Sequence, residues 1–233
     1  MRKRSCTLAR WAYTDGTSFY LARGPSDHGQ KKRAALGRYV WRRAAGAEGL
    51  LDENIGPSLY AKAQGLPVKI WGFLANGRLE YWVLPADGED PNRKTTNMTG
   101  QRYQSLIESK FEEWRVACFR RNRPCFLVQD HEKCLWQPQN LAALRTAGCE
   151  VMKDFPKSSP DLNAIEGAWN LLRQRLEATE PDAIESRPEF LARLRRTVSW
   201  LNVHQAAAMR AMCTNQKKRA AEVLELGGAK TRW

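Results

Sequence analysis

Residues 158–176 read SSPDLNAIEGAWNLLRQRL. A polar turn opens the stretch, and behind it Ile165, Trp169, Leu172 and Leu176 recur at helical spacing on one stripe. The stretch therefore reads as a loop feeding an amphipathic helix. Asp161 lies where a short acceptor caps such a helix. Glu166 lies in the first turn, where the helix dipole favours a carboxylate. Taken alone, each acid has an ordinary structural reading.

Upstream, Cys125-Phe126-Leu127-Val128 is a continuous apolar run that closes on Asp130. Its brevity and the preceding Pro124 predict a buried strand. A helix is predicted near Pro138 to Ala147, and a short strand near Glu150 to Met152. Tyr103, Leu106, Ile107, Phe111, Trp114 and Cys118 keep helical spacing, which predicts a helix from about Gly100 to Arg121 capped by Thr99. Asn76-Gly77, between Val68 to Leu74 and Leu79 to Leu84, predicts a tight hairpin. LARWAYTDGTSFYLAR (8–23) predicts another, turning at Asp15-Gly16, and GRYVWRR (37–43) a short strand. Two helices over about 188–203 and 205–226 complete the chain. Early strands followed by alternating helices and strands predict a mixed α/β or α+β sheet. With no repeat and no long linker, residues 1–233 read as one domain, with a core over about 8–180 and a helical extension over about 188–226.

The charge is lopsided. The chain carries 38 Lys/Arg against 25 Asp/Glu, a net of +13. Residues 1–43 are net +9 and residues 187–233 net +7, while the segment between them is net −3. Such an excess favours polyanions, nucleic acid above all. The acidic centre needs a different reason. No run approaches the roughly 20 apolar residues of a membrane helix, so no membrane partner is expected. The basic N-terminus has no apolar segment behind it, so it does not read as a secretory signal. Six scattered cysteines without a C-x-x-C pair read as reduced thiols. Cys125, His131, Cys134 and Cys149 fit no zinc-ligand spacing. Trp71, Trp82, Trp114, Trp169 and Trp200 read as core, and Trp41 and Trp136 as rings on which bases could stack.

Asp15, Asp130 and Glu166 stand at strand ends and a helix start, positions that can share one rim of a sheet. Carboxylates that close repel and raise one another's pKa unless a cation intervenes. Oxygen-only donors suit Mg²⁺, and two ions about 4 Å apart can clamp an in-line phosphoryl displacement.

The 158–176 stretch closely resembles the last catalytic motif of the mariner superfamily of DNA transposases, S-P-D-L-N-P-I-E-x-x-W. Ser159, Pro160, Asp161, Leu162, Asn163, Ile165, Glu166 and Trp169 match it. FLVQD (126–130) resembles the family strand that carries the second aspartate, TDGTSFYL (14–21) the strand that carries the first, and GRYVWRR the short strand after it. KIWGFLANGRL (69–79) resembles the family's V-W-G-x-x-x-x-G-x-L hairpin. Between Asp130 and Glu166 lie 35 residues, close to the family's spacing. There are departures. His131 stands where the family has Asn, Leu135 where it often has His, Gly16 where Glu is common, and Ala164 where Pro is usual.

The resemblance implies a ribonuclease-H-like α/β fold, a five-stranded mixed sheet flanked by helices, with extra C-terminal helices. It implies a metal-dependent DNA endonuclease and strand transferase that joins 3′-hydroxyl ends to target DNA. Asp15, Asp130 and Glu166 would be catalytic and would hold two Mg²⁺ (or Mn²⁺) ions, with His131, Asp161 and Asn163 supporting them. Lys31, Lys32, Arg33, Arg42, Arg43, Arg120, Arg121, Arg123, Arg193 and Arg196 are the candidates for DNA phosphates. Such transposases carry an N-terminal helix-turn-helix reader, and this chain starts almost at the first catalytic strand. A separate DNA-binding module and a second copy of the chain are therefore further candidate partners. Localisation would be the nucleus in a eukaryote, the cytoplasm or nucleoid in a bacterium. The alternatives are a domesticated or decayed remnant that binds nucleic acid without cutting it, and a structure-specific nuclease on the same fold.

Overall fold

The computed structural model describes residues 10–19, 21, 68–85, 97–119, 124–156, 159–181 and 185–227. The strands are β1 (Trp11–Phe19), β2 (Val68–Ala75), β3 (Arg78–Val83), β4 (Cys125–Val128) and β5 (Cys149–Val151). They form one sheet in the order β3-β2-β1-β4-β5. The β1/β2 and β2/β3 pairs are antiparallel, and β1/β4 and β4/β5 are parallel. The expected five-stranded mixed sheet is therefore present. The sequence-predicted strand at 37–43 lies outside the described residues.

Residue 15 does not turn. Asp15 and Gly16 sit inside β1, paired with Gly72 and Trp71 of β2, so the predicted turn of the 8–23 hairpin is instead the middle of one strand, Trp11–Phe19. Long pairing with β2 overrides the local preference of Asp-Gly for a turn. Gly16 answers a packing need instead, because a Cβ there would lie 2.9 Å from the Trp71 ring. The other hairpin forms as expected. Asn76 and Gly77 take φ of 49° and 80°, the left-handed conformations that a two-residue hairpin turn requires.

Helices cover both faces. On one lie α1 (Gly100–Leu106), a π turn (Ile107–Phe111), α2 (Glu112–Phe119) and α3 (Pro138–Thr146). Thr99 caps α1 as expected, its hydroxyl accepting from the Arg102 N–H. Tyr103, Phe111 and Trp114 pack here with Trp71 and Phe73. On the other face lie α4 (Ala164–Ala178), α5 (Arg187–His204), α6 (Ala206–Thr214) and α7 (Gln216–Glu225). The last predicted helix is thus two, divided at Asn215. The 165/169/172/176 stripe is fully or almost fully buried and joins Tyr13, Ile70 and Leu74 with Phe190, Leu194 and Leu201 of α5. The C-terminal helices therefore complete this core layer.

Two devices hold α4 and α5 in place. Gly72 lies under Trp169, where a Cβ would come within 2.2 Å of the indole ring. Edge strand β3 is covered by Asn202 of α5, whose amide accepts from the Leu79 N–H at 2.8 Å and donates to the Leu79 carbonyl at 2.9 Å. The cysteines among the described residues are free thiols. No described helix is long and apolar enough to cross a membrane.

Candidate active site

Register brings two aspartates together. In the parallel β1/β4 pair, Ala12 faces Leu127 and Tyr13 faces Val128. Asp15 and Asp130 lie two residues further along each strand, so the same register sets them side by side just past the last pairs. Tyr13 and Val128 belong to the layer under α4. The two-residue alternation of a strand turns the aspartates toward that layer as well. Glu166, in the first turn of α4, meets Asp15 there, and the two carboxyls share a hydrogen bond, while Asp130 acts on Asp15 through its charge.

The electrostatics record this crowding. Burial, the bond with Glu166 and the charges of Glu166 and Asp130 push the Asp15 carboxyl up to about 8. The backbone N–H of Gly16, donating to Oδ1 at 2.7 Å, opposes the rise. Asp15 and Glu166 are half-buried, while Asp130 is exposed. Among the described residues no three His, Cys, Asp or Glu side chains form a ready-made metal-binding group. The set nevertheless fits a hard divalent cation. Its donors are all oxygen, and the crowding that pushes the Asp15 carboxyl up is of the kind a bound cation would relieve. One turn ahead of Glu166, the buried Oδ1 of Asn163 has no hydrogen-bond partner among the described residues.

The residues next to the aspartates anchor them on the far face of the sheet. Buried Thr14 donates to the Gly72 carbonyl at 2.7 Å and accepts from the Trp71 indole N–H at 2.7 Å. Buried Gln129 accepts from the Tyr103 hydroxyl at 2.7 Å. The Trp136 indole donates to the Asp130 carbonyl at 2.8 Å and stacks on His131, centroids 4.8 Å apart. His131 Nε2 donates to the Phe155 carbonyl at 2.8 Å, so this nitrogen ties the loop after β4 to the loop after β5. A polar residue on the core side of a strand announces such a partner, and Thr14 and Gln129 carried that signal in the sequence.

Three expectations change. Asp161 does not cap α4. It lies in a 3₁₀ turn, Pro160–Leu162, and the N-cap is Asn163, which makes no side-chain cap bond. Arg193 is not a phosphate contact, because its guanidinium is buried against Glu185 at 2.6–2.7 Å and donates to the Leu176 carbonyl at 2.7 Å. Trp136 already stacks within its own loop. Arg196 is exposed. Lys31, Lys32, Arg33, Arg42, Arg43, Arg120, Arg121 and Arg123 lie outside the described residues, as does Trp41.

No protein-family model matches the chain, and no curated protein matches it by sequence. Solved structures do match. The chain is similar to the catalytic domain of Mos1 mariner transposase, with a TM-score of 0.60 over 99% of this chain and 88% of that one, at 12% identity. The Mos1 mariner paired-end complex with Mn gives a TM-score of 0.60 at 13% identity, over 99% of this chain and 59% of that one. The Mos1 strand transfer complex gives 0.60 at 13% identity, over 97% and 56%. The same Mos1 catalytic domain is known with Mn and with Mg. The fold is thus that of a mariner transposase catalytic domain, ribonuclease-H-like with a five-stranded mixed sheet.

Proposed function

We propose that this chain is a metal-dependent DNA endonuclease and strand transferase of DDE type, with Asp15, Asp130 and Glu166 as its catalytic carboxylates. One observation carries the reading: at one rim of the sheet Asp15 shares a hydrogen bond with Glu166 and feels the charge of Asp130, and burial together with these two acids pushes its carboxyl up to about 8. Structural acids are normally matched by a cation or hydrogen-bond donors, and a cluster that raises a carboxyl this far is characteristic of a reaction site. The net charge of +13 and the likeness to Mos1 complexes support DNA as the substrate.

Asp15, Asp130 and Glu166 would hold Mg²⁺ or Mn²⁺. The ion would supply charge neutralisation at the phosphate and a lowered pKa for the attacking water or 3′-hydroxyl. The chain's own task is placement. A bound cation would need the Asp15 carboxyl ionised, so binding would be favoured as pH rises. Thr14 and Gln129 fix the backbone on which the two aspartates stand, and Trp136 fixes the Asp130 carbonyl. Exposed Asp130 can turn without disturbing the core.

The test is nicking of supercoiled plasmid in Mg²⁺ or Mn²⁺ by the wild type, Asp130→Ala and Glu166→Gln. Each substitution should lower the rate by at least about 10²-fold and leave DNA binding in place. Unchanged nicking by Asp130→Ala would exclude hydrolysis at this site. Exposed Asp130 and the lack of a ready-made group of three favour the alternative, a chain that binds DNA without cutting it. Salt-sensitive DNA binding with no wild-type nicking in either metal would establish that alternative.

A further inference from the structure

Helix α4 begins without a local cap. Asn163 at its N-cap makes no side-chain cap bond, and the 3₁₀ turn before it presents carbonyls that the turn itself cannot satisfy. Those carbonyls are met from the far end of the chain. The Gln216 amide donates to the Leu162 carbonyl at 2.8 Å, and the Arg219 guanidinium donates to the Asp161 carbonyl at 2.7 Å. Both side chains are buried, 6% and 3% exposed. Long polar side chains are rarely buried on a surface helix without a specific partner.

The same segment reaches β1. The Tyr13 hydroxyl, two residues before Asp15, donates to the Cys213 carbonyl at 3.1 Å, and Tyr13 is also hydrogen-bonded to Gln216. At Gly167, directly after Glu166, α6 packs against the start of α4. A Cβ at Gly167 would lie 2.9 Å from the Met212 sulfur. Residues 213–219 therefore join the strand that bears Asp15 to the turn that leads into Glu166.

We infer that Gln216 and Arg219 are positioning residues, which set Glu166 against Asp15 by holding the entry to α4 from the α6–α7 junction. The inference rests on the catalytic reading of the three carboxylates. It assigns the C-terminal helices a part in metal loading in addition to their part in the core. Loss of either donor removes a tie to the turn, so the first turn of α4 shifts while the sheet stays intact.

The experiment measures Mn²⁺ affinity by calorimetry and plasmid nicking on the full chain. The variants are Gln216→Leu, Arg219→Leu, Arg219→Lys, Asp130→Ala and Asn202→Ala. Asn202 makes the same kind of side-chain tie to backbone, but to β3, so it controls for general loss of stability. Gln216→Leu and Arg219→Leu should weaken Mn²⁺ binding by about 10–100-fold, the range expected for groups that orient ligands. Nicking kcat should fall with little change in the KM for DNA. Arg219→Lys should restore most of the affinity, since one N–H donor is enough for the Asp161 carbonyl. Should Gln216→Leu and Arg219→Leu, folded by circular dichroism, bind Mn²⁺ no more weakly than Asn202→Ala, the positioning role is overturned. Should Asp130→Ala bind Mn²⁺ as well as the wild type, the carboxylate site itself is wrong and the positioning role falls with it.

Discussion

Asp15 titrates late because it is half-buried beside Glu166 and Asp130. Its carboxyl releases its proton near pH 3.8 in the unfolded chain and at about 8 in the folded one. The folded state therefore binds the proton more tightly, and the stability this contributes is complete below pH 3.8 and is lost as pH rises toward 8. Asp15→Asn removes the charge and keeps the shape. It should make the metal-free protein more resistant to urea than the wild type at pH 8, with the gap closing toward pH 4, and it should abolish stabilisation by Mn²⁺. A wild-type advantage at pH 8 without metal would contradict the crowding of these acids. Arg193 makes the opposite case. It belongs to a basic cluster in the sequence, yet it is spent on buried Glu185. Arg193→Ala should cost about 3–5 kcal/mol in urea melts, because an unpaired buried carboxylate remains, and should leave the salt dependence of DNA binding unchanged. Charge alone could not separate this arginine from its exposed neighbours Arg195 and Arg196. Only the fold reveals that residue 193 points inward, toward a glutamate eight residues earlier.

Between elements, the contact that decides the site is Trp169 on Gly72. A flat indole lying on a glycine lets α4 come down close to β1 and β2, which is what carries Glu166 to Asp15. Gly72→Ala would drive a methyl into a rigid ring, and overpacking of this kind costs about 1–3 kcal/mol or more. The urea midpoint should fall accordingly, and Mn²⁺ affinity should fall with it. Gly167→Ala meets only the flexible end of Met212 and should be tolerated. Equal losses from both substitutions would mean that the helix is not seated through Trp169. The pairing of a W-G dipeptide on a strand with a tryptophan three residues after the last acid was present in the sequence, but its meaning was not. Pattern gives spacing within an element. It cannot say that Gly72 and Trp169 touch, and it read Asp15-Gly16 as a turn because the pairing partner of that segment lies more than fifty residues away. The apolar run before Asp130 and the 165/169/172/176 stripe were legible because each element is specified by its own residues.

Across the whole molecule, legibility follows the same division. The sheet, the motif and the three acids could be read because local pattern and resemblance agreed on them. The role of residues 213–219 could not, since QKKR reads as one more basic cluster until α7 is seen against the 3₁₀ turn. The structure divides that cluster by face. Gln216 and Arg219 turn inward to the turn before Glu166, and Lys217 and Lys218 between them are exposed. Two lysine charges are thereby held on the outer face of the helix whose inner face meets the turn before Glu166. Each phosphate contact contributes about −0.9 to the slope of log K against log salt. Replacing both lysines with alanine should therefore flatten that slope by up to about 1.8 for nonspecific duplex DNA, measured by fluorescence anisotropy across a salt series. The loss should be similar for any DNA sequence, since phosphate contacts carry no base information. Mn²⁺ affinity should stay unchanged, because neither lysine contributes to the ties at Leu162 and Asp161. An unaltered slope would place the DNA path on another face of the molecule.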